Sequence, residues 1–152
     1  MIPAAFDYKR AGSSEEAVAL IAEYGDEAKL LAGGHSLIPM MKLRLAVPTV
    51  LVDIGRVGDL SYIDDRDDHI AIGALATHRS LETSELLISE CPILAHVASK
   101  VGDPQVRHRG TIGGSLAHSD PASDLPAAVL ALGGSLIAQG SNGEREVKVS
   151  DF

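Results

Sequence analysis

The sequence predicts an α+β chain in two lobes, a small α/β unit over residues 1–57 and a larger part over 58–152 whose strands pair antiparallel. Three observations predict this. Helix and strand patterns alternate over the first 55 or so residues, as in a small α/β unit. After Gly55–Gly58 the pattern changes to short runs without long crossovers, and such strands pair antiparallel. Each part also carries one glycine-rich stretch, Ala32-Gly33-Gly34-His35-Ser36 and Gly110-Thr111-Ile112-Gly113-Gly114-Ser115.

In chain order, residues 1–12 read as extended, punctuated by Pro3 and Gly12. Ser13 followed by Glu16 fits a capping box, in which each side chain satisfies an orphan backbone donor. Ala17, Leu20, Ile21 and Tyr24 recur at helical spacing, and Gly25 ends that helix. Lys29-Leu30-Leu31 reads as a buried strand. The apolar segment Leu37–Leu43 starts a helix, and Thr49–Ile54 is a strand by its β-branched content. Leu60–Ile63 and His69–Gly73 are short alternating runs, with Asp64–Asp68 as the loop of a hairpin. Helices are expected at roughly Ser80–Ile88 and Pro92–Val101. Ser123 caps a further helix, with Pro126 early, where a missing N–H does no harm; the helix runs to Leu132 and stops at Gly133-Gly134. Ser135–Gln139 and Glu144–Val149 form a last pair of strands around Ser141-Asn142-Gly143.

Composition narrows the function. The 152 residues are 45% hydrophobic but only 3% aromatic, so the core is aliphatic. A formal charge of −8 argues against a general nucleic-acid binder, which needs a basic face. Cys91 is the sole cysteine, so it forms no internal disulfide and cannot alone hold an iron–sulfur cluster or a structural zinc. Any redox role therefore needs an organic cofactor. No charged n-region with an apolar h-region opens the chain, and no apolar run is long enough to span a membrane, so a cytoplasmic location is expected.

The chemistry concentrates in the two glycine stretches. Adjacent glycines after a strand let the backbone turn and approach a ligand, and N–H groups exposed there suit a phosphate. Two such stretches could grip one diphosphate from two sides, although glycine pairs are more often plain turns. Thr111 and Ser115 can donate to phosphate oxygens. Downstream, Asp124 can accept from a sugar or ribityl hydroxyl; equally, Asp120 and Asp124 are turn and cap residues. Arg107-His108-Arg109 could face the diphosphate or a partner, with a solvated face the commoner outcome. There is no G-x-G-x-x-G, no Walker lysine, no H-E-x-x-H and no nucleophile elbow, and the six histidines show no metal-ligand spacing. No catalytic acid, base or metal ligand is assigned.

Ala32-Gly33-Gly34-His35-Ser36 followed by Leu37-Ile38-Pro39, and Thr111-Ile112-Gly113-Gly114-Ser115 followed by Asp120-Pro121-Ala122-Ser123-Asp124-Leu125-Pro126, resemble the FAD-binding medium subunit of molybdenum hydroxylases. That is the xanthine dehydrogenase and aerobic carbon monoxide dehydrogenase group, and the carbon monoxide dehydrogenase medium subunit within it. The resemblance runs from Phe6 to Phe152. It implies a two-lobed FAD-binding domain of the vanillyl-alcohol-oxidase type, a small α/β lobe and a larger lobe on an antiparallel sheet, with FAD between them. By the match, Ala32, Gly33, Gly34, His35, Ser36 and Leu37, together with Thr111, Ile112, Gly113, Gly114 and Ser115, cradle the diphosphate. Ser123 and Asp124 bind the flavin chain, Gly73 and Thr77 match a further segment near the flavin, and Val101 packs against the adenine.

The implied function is an oxidoreductase component. It relays electrons from iron–sulfur clusters on a small subunit to NAD, a quinone or oxygen, while a molybdopterin large subunit oxidises the substrate. Members of the group continue well past the point where this chain stops, so a truncated chain is expected. Two alternatives stand beside this reading: a nucleotide- or phosphate-binding module without redox work, and an assembly fragment without flavin.

Overall fold

Three parallel strands carry the N-terminal part: β1 (Asp7–Arg10), β2 (Ala28–Leu31) and β3 (Val50–Asp53), in the order β1-β3-β2. This computed structural model describes residues 2–152. β3 takes the centre because Val50, Leu51 and Val52 are all buried, whereas all four residues of β1 are exposed. The extended reading of residues 1–12 hides a strand. Asp7 pairs with Val50 and Arg10 with Asp53, so β1 exists through a partner far along the chain.

Between β1 and β2 runs α1 (Ser14–Tyr24). Ser13 Oγ accepts the Glu16 N–H at 3.2 Å. The Glu16 carboxylate accepts from Gly12 N–H at 2.6 Å, one residue earlier than a standard capping box. Gly25 ends the helix with φ 55°, as its position predicts. α2 (Leu37–Lys42) follows the first glycine stretch.

The second part opens with a hairpin of β4 (Ile63–Arg66) and β5 (His69–Ile72). Its turn is only Asp67-Asp68, with Asp67 at φ 55°, so Asp64, Asp65 and Arg66 lie in the strand rather than in the expected loop. Left-handed backbone at a two-residue turn matches the strand twist, which favours the short loop. Leu60, expected in the strand, instead packs on the core beneath the parallel sheet.

Six helices come next: α3 (His78–Thr83), α4 (Glu85–Glu90), α5 (Pro92–Lys100), α6 (Pro104–Arg107), α7 (Ile112–His118) and α8 (Asp124–Ala131). The helix expected over Ser80–Ile88 is two helices. Ser84 takes extended backbone and its Oγ accepts the Leu87 N–H at 3.3 Å, capping α4. Ser123 stands at the N-cap of α8 but makes no side-chain capping bond, which corrects the role expected of it. β6 (Ser135–Gly140) and β7 (Gly143–Lys148) close the chain as an antiparallel hairpin. The antiparallel pairing of this part thus falls in two separate hairpins around a helical body.

Two aliphatic cores result. One lies under the parallel sheet and includes Ala17, Val50, Val52, Val57 and Leu75. The other lies among the helices and includes Ala76, Leu81, Leu87, Leu94, Leu116 and Leu125. Leu75 and Ala76 are consecutive yet belong to different cores, so the chain crosses from one to the other there. No helix is long and apolar enough to cross a membrane, among the described residues.

Candidate functional site

A cleft of about 310 Å³ opens at that crossing. Ala32 and Gly33 line it from the end of β2, Gly55, Arg56, Val57 and Gly58 from the end of β3, and Thr77, His108, Arg109 and Thr111 from the helical part. The lining carries two arginines and a histidine and no carboxylate, in a chain of net charge −8. Such a concave site of single sign raises the local concentration of anions. Arg109 and His108 border the cleft and are also exposed to solvent, as the solvated-face reading expects. Arg107 turns inward instead, donating to Glu82 at 3.1 Å and to the Val101 and Gly102 carbonyls at 3.3 and 3.2 Å.

The first glycine stretch supplies free donors. Among the described residues, the backbone N–H groups of Gly33, Gly34, His35 and Ser36 have no acceptor in the chain. Four unspent donors on a turn that leads into a helix are what an oxyanion requires. Gly34 has φ 80°, a conformation that disfavours side chains. Gly33 is demanded by the chain itself: a Cβ there would lie 2.0 Å from the Arg109 carbonyl oxygen.

The second stretch differs from its expected form. It is no loop: Thr111 is the N-cap of α7, and Gly113, Gly114 and Ser115 lie in the first turn. Its N–H groups are spent. Ile112 donates to Ala76 at 3.0 Å, Gly113 to Ala74 at 2.9 Å, Gly114 to Thr111 Oγ1 at 3.1 Å and Ser115 to the Thr111 carbonyl at 3.0 Å. A Cβ on Gly113 would lie 2.6 Å from the Ala74 side chain, so this glycine serves packing. A backbone grip from both sides is replaced by backbone donors on one side and hydroxyls on the other.

The remaining expected residues are dispersed. Thr77 and Thr111 face each other across an isolated antiparallel bridge, and both line the cleft. Leu37 begins α2, His35 is exposed, and Ile112 is buried in the helical core. Val101 ends α5, half-buried against the same core, and is not among the lining residues. Asp124 opens α8, exposed, and does not line the cleft either. Missed from the sequence were Arg56, Ser61 and Leu75, which line the cleft. Only the Gly55–Gly58 boundary signalled the first of them. Asp53 also went unnoticed. Its carboxylate accepts the Gly55 N–H at 2.7 Å and the Tyr8 hydroxyl, fixing the turn that carries Arg56. That hydrogen bond to Asp53 raises the Tyr8 pKa.

Behind the cleft lies His78, buried, its ring against Gly110. Burial lowers its pKa below the ordinary 6.5, and His35 adds to the shift, so the ring is neutral. No group of three His, Cys, Asp or Glu side chains is arranged to hold a metal, among the described residues.

The sequence family described as the FAD binding domain in molybdopterin dehydrogenase matches residues 4–152. The chain belongs to this family. It is 47% identical over its whole length to the 6-hydroxypseudooxynicotine dehydrogenase complex subunit alpha of Paenarthrobacter nicotinovorans, covering 51% of that protein. It is 45% identical to the carbon monoxide dehydrogenase medium chain of Hydrogenophaga pseudoflava, again over its whole length and over 53% of the relative. Among solved structures, 99% of the chain superposes with TM-score 0.97 and 46% identity on 52% of a chain of the Hydrogenophaga pseudoflava carbon monoxide dehydrogenase that lacks the Mo-pyranopterin moiety. Quinoline 2-oxidoreductase from Pseudomonas putida 86 matches with TM-score 0.96 at 36% identity, over all of this chain and 53% of that one. The chain therefore spans about half the length of the relatives it matches.

FAD is the cofactor of this family, and the residues present fit it. A dinucleotide carries a diphosphate, and the cleft is bordered by Arg56, Arg109, the free Gly33 N–H and no carboxylate. Thr111 adds a hydroxyl at the same opening, while that of Thr77 donates to Ser80 Oγ at 3.2 Å and accepts the Ser80 N–H.

Proposed function

We propose that this FAD-binding-family chain is the cofactor-holding part of a molybdenum hydroxylase flavoprotein subunit, of the carbon monoxide dehydrogenase medium-chain type. The observation that carries it is the carboxylate-free cleft bordered by Arg56, Arg109 and the unspent Gly33 N–H, with the free N–H groups of Gly34 to Ser36 next along the chain. In this reading the first stretch, Ala32 to Leu37, takes the diphosphate through its backbone, and Arg56 and Arg109 balance its charge. Thr111 and Ser115 donate hydroxyl hydrogen bonds, and Thr77, whose hydroxyl is bonded to Ser80, shapes the opening beside them. The N-terminal end of α7, from Ile112 to Gly114, keeps Thr111 and Ser115 in place. Val101, Ser123 and Asp124 belong to the outer reaches of the cofactor, away from the cleft. FAD supplies the redox chemistry when bound; the protein binds, orients and shields it.

The whole protein, in this reading, works in a complex. An iron–sulfur small subunit supplies electrons, a molybdopterin large subunit oxidises the substrate, and an external acceptor takes the electrons from this subunit. The lobes divide at residues 57 and 58, with Leu60 and Leu75 reaching back onto the first core. The location is cytoplasmic.

The test is an absorbance scan of the purified chain before and after FAD is added and the sample desalted. Retained flavin bands that dithionite bleaches support the reading. Retained nucleotide without a redox response favours a non-redox binding module. A chain that retains no FAD while its circular dichroism shows a folded protein overturns the assignment.

A further inference from the structure

His78 is 3% exposed, and with Thr111 it makes up the buried polar residues of the described chain. Its backbone N–H donates to the Gly110 carbonyl at 2.9 Å. Its ring occupies the space above Gly110, where a Cβ would lie 2.5 Å from Nε2, so glycine at 110 is what admits the imidazole. Among the described residues Nδ1 has no hydrogen-bond partner. Nε2 has one, Ser115 Oγ at 3.5 Å, a long contact.

A neutral imidazole carries one proton, and the surroundings decide which nitrogen holds it. On Nδ1 it would be a buried donor with nothing to meet, which folded chains very seldom tolerate. A lone pair on Nδ1 would go unpaired as well, but the neutral histidine ring intrinsically favours its proton on Nε2, and here Nε2 is the nitrogen with a partner. The proton therefore belongs on Nε2, and Ser115 Oγ accepts it.

That choice leaves the Ser115 proton to be placed. Hydroxyls elsewhere in the helices fold back onto the preceding turn: Ser99 donates to His96 at 2.6 Å, Thr83 to Arg79 at 2.9 Å and Ser119 to Leu116 at 3.1 Å. Ser115 makes no such bond, so among the described residues its O–H has no acceptor in the chain. It is half-buried one turn after Thr111, the N-cap that lines the cleft, and its N–H bonds the Thr111 carbonyl at 3.0 Å, so both lie at the cleft end of α7.

We propose that His78 is a positioning residue for the cleft. Its Nε2–H holds Ser115 Oγ as an acceptor and so turns the Ser115 proton toward an anionic ligand. The inference rests on the flavin reading, since the ligand is the FAD diphosphate.

Two measurements on the full chain test it. Long-range ¹⁵N NMR of the imidazoles, without FAD, reads the tautomer directly; Nε2–H is expected, with resonances that move in S115A. An Nδ1–H tautomer overturns the proposal whatever the flavin result. FAD titration by fluorescence quenching then compares H78L, H78Q, S115A and the H78L/S115A double variant. Loss of one hydrogen bond corresponds to about tenfold weaker binding, so H78L and S115A each fall by about that factor. The double variant falls no further than S115A, and H78Q, which keeps an N–H donor, recovers most of the loss. Losses that multiply in the double variant, or an H78Q no better than H78L, overturn the role. A chain with the Nε2–H tautomer that takes up no FAD overturns the flavin reading, and the role of the Ser115 proton falls with it.

Discussion

Gly33 has no space for a side chain, since its missing Cβ would meet a backbone carbonyl that cannot swing away. Gly33→Val is therefore expected to push the Arg109 segment from the first stretch and to abolish FAD retention in the desalting assay. Gly133→Ala makes a useful control: its Cβ meets nothing within 4 Å, so it should lower stability through its φ of 68° and leave flavin retention unchanged. His78 gives a pH signature. Burial holds its folded pKa below the ordinary 6.5, so below that pH the unfolded chain binds more protons than the folded one. Stability is then full above pH 6.5 and declines as the pH falls through the window down to the lowered folded pKa. Urea midpoints at about pH 7.5 and about pH 5.5 should differ in that direction, and the difference should shrink in H78Q. The first glycine stretch could be read at this scale from sequence, because adjacent glycines after a strand let the backbone turn sharply and approach a ligand. That the second pair serves packing on Ala74 could not, because the partner lies 39 residues earlier.

The elements differ in how much of their stability is local. α1 has its cap, its carboxylate and its terminal glycine in sequence order, and all three are visible there. Ser13→Ala should cost about 1 kcal/mol by thermal unfolding, with FAD binding unaffected, because α1 lies outside the cleft. Thr111 combines two local duties: its Oγ1 caps α7 through Gly114, and its backbone bridges Thr77. Thr111→Val keeps the bulk and loses the cap, so it should lower both stability and FAD affinity, whereas Thr111→Ser should retain most of each. The cap could be read in retrospect, since a threonine three residues before an unpaired N–H is a common start to a helix. The sequence read the same residues as a loop because Gly113 and Gly114 are poor helix formers, and tertiary contacts with Ala74 and Ala76 outweigh that propensity. Strand β1 shows the opposite case: it has no strong local signal and forms through its pairing with β3.

Across the molecule, charge is distributed against its average. A net −8 chain lines its cleft with Arg56, His108 and Arg109 and no carboxylate. Removing both guanidinium groups, as R56Q/R109Q, should weaken FAD binding and flatten its salt dependence, measured between low and physiological ionic strength. The double variant should unfold at nearly the same temperature as the parent, since neither arginine makes an ion pair among the described residues. An unchanged salt slope would remove the arginines from the binding role. The cleft itself is a property of this scale. It forms where the chain leaves one core at Leu75 and enters the other at Ala76, bringing together segments from residues 32, 56, 77 and 109.

What the sequence by itself determined was the local and the compositional: an aliphatic two-part α+β chain, the capped first helix, the two glycine stretches, and the family they resemble. These follow from periodicity, capping and the short reach of a turn, which neighbours in sequence settle among themselves. The tertiary structure decided which donors stay free. The N–H groups of Gly33 to Ser36 remain unspent, and those of Ile112 to Ser115 are used within the chain. It also decided that Arg109 borders the cleft while Arg107 turns away to Glu82. Each of those outcomes depends on an acceptor or a wall supplied by a distant segment, and that information exists only once the two cores have closed on each other.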